Sequence, residues 1–167
     1  MSPSTFTTML FLGLALTVNG SIDHNVTVGG SQLTFNPSNI SAQAGDTVTF
    51  QFMPGNHTAT QSTFEQPCQP FKSSSGQGGF DSGFMQSTYT IDISDVTPIW
   101  VYCKQGLHCR EGMVFSINAD VAGSETYSAF KARAMGGTVS NGGAGRAVVS
   151  CFGVVLGLFI LAEGWML

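Results

Sequence analysis

Cys103, His108 and Met113 lie on one short stretch, Cys103-Lys104-Gln105-Gly106-Leu107-His108-Cys109-Arg110-Glu111-Gly112-Met113, which reads C-x4-H-x4-M. It sets a thiolate, an imidazole and a thioether on a loop between two apolar segments, Ile99-Trp100-Val101-Tyr102 and Met113-Val114-Phe115-Ser116-Ile117, both patterned like β-strands. Soft sulfur donors combined with imidazole favour copper, and two imidazoles, one thiolate and a weak axial thioether suit single-electron exchange at that metal. His57 is the upstream candidate for the second imidazole.

Such a loop needs a scaffold, and the ends of the chain must be set aside before one is sought. Residues 1–20 carry an apolar run, residues 9–18, followed by small residues, and read as a secretory signal ending near Gly20. At the other end, small residues 140–145 precede Arg146 and an uncharged apolar stretch, residues 147–162. A spanning helix needs about 20 apolar residues and a basic cytoplasmic flank. A small-residue site before a terminal apolar tail is instead the pattern of a GPI-anchor signal. Asn141 is the expected attachment residue, with Ser140 and Gly142 as neighbouring alternatives, and residues 142–167 as the removed propeptide. The protein is therefore expected outside the cell, tethered to the outer leaflet of the plasma membrane, with the cell wall as an alternative end point.

Roughly 120 residues remain, enough for one domain with a core. Only 10% of the whole chain is charged, with a net charge of −4, and no basic patch points to nucleic acid. Asn25-Val26-Thr27, Asn39-Ile40-Ser41 and Asn56-His57-Thr58 are glycosylation sequons, fitting a secreted chain. Cys68, Cys103 and Cys109 remain once Cys151 leaves with the tail. In an oxidising compartment two of the three should pair and one be left over, although parity does not say which.

Strand patterns recur at sandwich spacing: residues 25–28, 33–36, the alternating 47–52, 87–93, 99–102 and 113–117. Pro54-Gly55-Asn56 ends the third of these and delivers His57 to a loop. Residues 58–87, rich in Gly, Ser, Gln and Pro, read as a long loop whose Phe64, Phe71, Phe80 and Phe84 imply packed segments. Residues 124–135 suggest a short helix with Tyr127, Phe130 and Ala134 on one face, and a Gly-rich stalk begins at Gly136. The expected fold is all-β, a Greek-key β-sandwich with a short C-terminal helix and stalk. Greek-key connections bring loops distant in sequence to one pole, where His57 can meet Cys103, His108 and Met113.

The segments Ala44-Gly45-Asp46-Thr47-Val48-Thr49-Phe50, His57, and Trp100-Val101-Tyr102-Cys103 through His108-Cys109 to Gly112-Met113 closely resemble the cupredoxins, and the C-x4-H-C spacing is similar to the phytocyanin branch. Residues 57–68 and 78–84 and the anchored tail resemble the cupredoxin-like, serine-rich extracellular proteins of fungi. The resemblance spans residues 22–135. It implies one type 1 copper ion held by His57, Cys103 and His108 with Met113 axial, and a disulfide between Cys68 and Cys109. The implied boundaries are a cupredoxin-like domain at 21–122 and a helix and stalk at 123–141. A glycan on Asn56 would crowd the implied metal site.

The expected function is single-electron transfer at the cell surface, by a monomer, with a redox protein as partner. Copper binding or delivery to a transporter without electron traffic is a second class, and a metal-free wall module a third. An enzyme is not expected: the three histidines, His24, His57 and His108, are too few for a further copper cluster. A histidine-brace oxygenase would need His24 at the mature N-terminus, after a poor cleavage residue, Asp23.

Overall fold

In a computed structural model, residues 20–137 are described. The expected leader at residues 1–20 (Gly20 apart), Asn141, the expected 142–167 propeptide, Cys151 and the expected stalk beyond residue 137 lie outside them. Eight strands form two four-stranded sheets. The first has the order β2 (Phe35–Asn36), β1 (Asp23–Val28), β4 (Thr47–Phe52), β6 (Thr88–Asp92). The second has the order β3 (Asn39–Ile40), β8 (Val114–Ile117), β7 (Ile99–Tyr102), β5 (Thr60–Ser62). β1 pairs with β4 and β3 with β8 in parallel, and the other pairings are antiparallel. The result is a Greek-key β-sandwich.

Alternation decides which face is buried. In β1 and β4, Val26, Val28, Val48, Phe50 and Phe52 turn inward. There Phe35, Phe50 and Phe115 meet, with centroids 5.6–6.2 Å apart. β7 and β8 are buried on both faces, which explains why they read as continuous apolar runs. Val101, Phe115 and Ile117 enter the core between the sheets, whereas Trp100, Tyr102 and Val114 enter a second cluster with Phe64 and Phe130.

Helix α1 (Tyr127–Ala134) covers that second face, with Phe130 and Ala134 buried. It starts where the Thr126 side chain accepts a hydrogen bond from Ala129 N at 3.1 Å, satisfying one of the free donors of the first turn. The expected helix at 124–135 is thus present but shorter. Among the described residues no helix is long and apolar enough to cross a membrane.

The stretch at 58–87 departs from expectation. It contains β5, an edge strand paired antiparallel with β7 from Thr60↔Tyr102 to Ser62↔Trp100. Its buried side chains are Thr60 and Ser62, so it lacks the hydrophobic alternation by which strands are recognised. Phe64 and Phe80 pack into the two clusters, while Phe84 is 58% exposed.

Candidate metal centre

His57 lies on the crossing between β4 in one sheet and β5 in the other, and the loop 103–113 joins β7 to β8 in a hairpin. The loop is closed at its base, where Cys103 N donates to Met113 O at 3.1 Å. It is folded inward by a bond from Met113 N to His108 O at 2.9 Å. Ligand atoms of His57, Cys103 and His108 lie within 4.8 Å of one another. Cys103 Sγ is 3.5 Å from His108 Nδ1, and the two imidazole centroids are 5.2 Å apart. Met113 is fully buried in the core between the sheets.

The surroundings fix each donor. A Cβ on Gly29 would stand 2.3 Å from His57 Nε2, and one on Gly55 would stand 3.0 Å from it. Both glycines have positive φ, so two stretches of backbone press on that edge of the ring. His57 Nδ1, on the other edge, is buried with no hydrogen-bond partner. An orphaned buried nitrogen costs free energy unless a ligand takes it. Burial, and then the charge of His108, lower the His57 pKa below its ordinary 6.5, favouring the neutral form that binds metal.

Cys103 is fully buried and is the free cysteine among the described residues; Cys68 and Cys109 are joined in a disulfide. Burial pushes the Cys103 thiol up, while hydrogen bonds from Gln105 and Thr58 pull it down. A coordinating metal deprotonates a thiol outright. Two imidazoles and one thiolate with ligand atoms within 4.8 Å of one another fit a copper ion better than a hard cation, which prefers oxygen.

Sequence reasoning missed the partners that come from outside the motif. Thr58 N donates to Cys103 Sγ at 3.4 Å, and Thr58 Oγ1 accepts from Lys104 N at 2.9 Å. Thr58 and Thr60 hydroxyls are 2.9 Å apart, Thr60 Oγ1 donates to Asp81 Oδ1 at 3.0 Å, and Lys104 Nζ pairs with Asp81. Burial opposes the Asp81 charge, but Lys104, Gly83 N and Thr60 outweigh it and hold the carboxyl below its ordinary 3.8. Thr58 adjoins His57 in sequence and was within reach of inspection; Asp81 and Gly29 carry no local signal.

The disulfide joins residues 41 apart and pins Cys109, beside His108, into the cluster under α1. His57 is buried, whereas His108 is half-buried and its neighbour Leu107 is 67% exposed. The candidate site therefore meets solvent at the His108 edge. Asn25, Asn39 and Asn56 are all exposed.

No family model matches the chain. A protein of Arthroderma benhamiae named "Probable GPI-anchored cupredoxin-1" is 35% identical over 132 residues, covering 78% of this chain and 66% of that protein. An "Extracellular serine-rich protein" of the same organism is 36% identical over 102 residues, covering 59% of this chain and 40% of that protein. The chain thus spans 40% of one of these curated relatives and 66% of the other. Among solved structures, native pseudoazurin from Hyphomicrobium denitrificans is similar, with 23% identity, a TM-score of 0.44, and coverage of 57% of this chain and 73% of that one. Identity of 35% to a cupredoxin over 78% of a chain folded as two packed sheets makes this protein a member of the cupredoxin-like family.

Proposed function

We propose that the protein is a type 1 copper protein that exchanges single electrons at the outer cell surface. The convergence of His57, Cys103 and His108, with His57 Nδ1 buried and unpartnered, is the observation that carries this reading. Bound copper supplies single-electron chemistry by cycling between Cu(I) and Cu(II). The chain supplies the rest. Glycine backbone holds the His57 ring, and the disulfide and the Met113 bond hold the His108 segment, so the donors are positioned by the fold itself. The Thr58 N–H draws negative charge from the Cys103 sulfur, which tunes the potential. Met113, buried beneath the loop, would supply a weak thioether contact to a bound ion. His108 reaches solvent, so a redox partner meets the site there.

That donor set leaves no position for a substrate, and we assign a carrier rather than an enzyme. The name of the 35% identical relative, together with the apolar residues 147–162, supports a GPI anchor, with Asn141 as the attachment point and residues 1–20 removed. Exposure of Asn25, Asn39 and Asn56 is compatible with glycans.

Protein-film voltammetry of the copper-loaded protein tests the reading. A reversible single-electron wave is expected. Copper bound one per chain without such a wave would move the assignment to storage or delivery. Failure to bind copper would leave a metal-free wall module.

A further inference from the structure

Arg110, from the loop 103–113, and Arg133, from the last turn of α1, line one cleft of about 550 Å³. The disulfide partner Cys68 forms part of its wall, with Glu65, Gln66 and Gln69. The volume is that of a small-molecule site.

Cations are scarce in this chain, with six Lys and Arg against ten Asp and Glu. Among the described residues the ion pairs are His24–Asp46 and Lys104–Asp81, so neither arginine has an acidic partner there. With two guanidiniums and one carboxylate among its lining residues, the cavity keeps a net positive charge that an anion would balance. Glu65 lines the same cleft without pairing to either.

Arg133 adds an independent observation. Its guanidinium carbon lies 4.9 Å from the centre of the Phe64 ring, within cation–π range. Its Nε is buried with no hydrogen-bond partner among the described residues. A cation–π contact uses none of the N–H groups of a guanidinium, whose fork fits an oxyanion. A buried unpartnered donor in a native fold calls for a cause, and an ion taken up at that point is one.

We infer that this cleft binds a small oxyanion, a carboxylate or phosphate group held by Arg110 and Arg133. The amides of Gln66 and Gln69 are available to its outer atoms. Glu65 repels a highly charged polyanion and favours a ligand of low charge that also offers a hydroxyl or ammonium donor. The ligand would lie beside the disulfide rather than on the metal donors, so the assignment does not depend on copper.

Isothermal titration calorimetry of the full chain, purified as its host processes it, tests the inference with inorganic phosphate and with malate as probes. Saturable binding of at least one is expected at millimolar concentration, weakened by salt. Tighter malate binding would identify a hydroxycarboxylate as the ligand class, and tighter phosphate binding a phosphoryl group. Arg133→Met and Arg110→Gln should each weaken binding by roughly tenfold or more, and Lys72→Gln should not. Because Arg133 also covers Phe64, the exposed Arg110 carries the test if the Arg133 variant misfolds. No binding of either probe, or binding unchanged in Arg110→Gln, overturns the site.

Discussion

The two apolar clusters of this protein grip the same loop from opposite sides, and they grip different parts of it. The cluster between the sheets, around Phe35, Phe50 and Phe115, takes Cys103 and Met113 at the base of the loop. The cluster under α1, around Phe64, Trp100 and Phe130, takes Cys109 and its disulfide. Their aromatic contacts are of similar closeness, with Phe50–Phe115 centroids at 5.6 Å and Trp100–Phe130 at 4.7 Å. They differ in what they hold. The first makes the fold and carries two of the candidate donors, whereas the second secures the outer half of the loop that bears His108. A metal loop anchored in only one of them would leave one of its donors free to move.

The largest effect should come from breaking the first cluster. Phe115→Ala should cost about 4 kcal/mol, measured by denaturant unfolding, and should abolish copper binding together with the fold. Removing the disulfide, as Cys68→Ser with Cys109→Ser, should cost about 3 kcal/mol. Here the two readouts should separate: the sandwich should still fold, by circular dichroism, while copper affinity drops because His108 is loosened. Gly29→Ala should cost about 2 kcal/mol, since its Cβ would stand 2.3 Å from His57 Nε2 at a backbone φ of +83°. Its effect on copper affinity should be out of proportion to its effect on stability.

The smallest effect on the metal site should come from Asp46, which precedes β4 at the end away from His57. Hydrogen bonds from Gln43 N, Ile22 N and the His24 ring lower its pKa from 3.8 to about 2. As pH falls the unfolded carboxyl takes its proton first. The contribution of Asp46 to stability is therefore complete above 3.8 and is lost as pH falls towards 2. Asp46→Asn should flatten that acid limb in pH-dependent unfolding and leave the metal-bound spectrum at neutral pH unchanged.

Much of this arrangement is legible in the sequence wherever the signal is local. The alternation of Thr47–Phe52 marks β4 residue for residue, and the run Ile99–Tyr102 marks β7. The spacing of Cys103, His108 and Met113 is visible because a hairpin loop keeps sequence neighbours together. The strand β5 was hidden because its inward residues, Thr60 and Ser62, are polar and its register is supplied by β7. Gly29 gives no hint of its contact with His57, which comes through the parallel pairing of β1 with β4. Asp81 reads as one acid in a Gly- and Ser-rich loop, and only tertiary structure joins it to Lys104 and Thr60.

The most direct measurement is the visible absorption spectrum of the purified protein during Cu(II) titration, beside Cys103→Ala. The account predicts an intense thiolate-to-copper band that saturates at one copper per chain and vanishes in the variant. Absence of that band from the wild-type protein, or its persistence without Cys103, would contradict it.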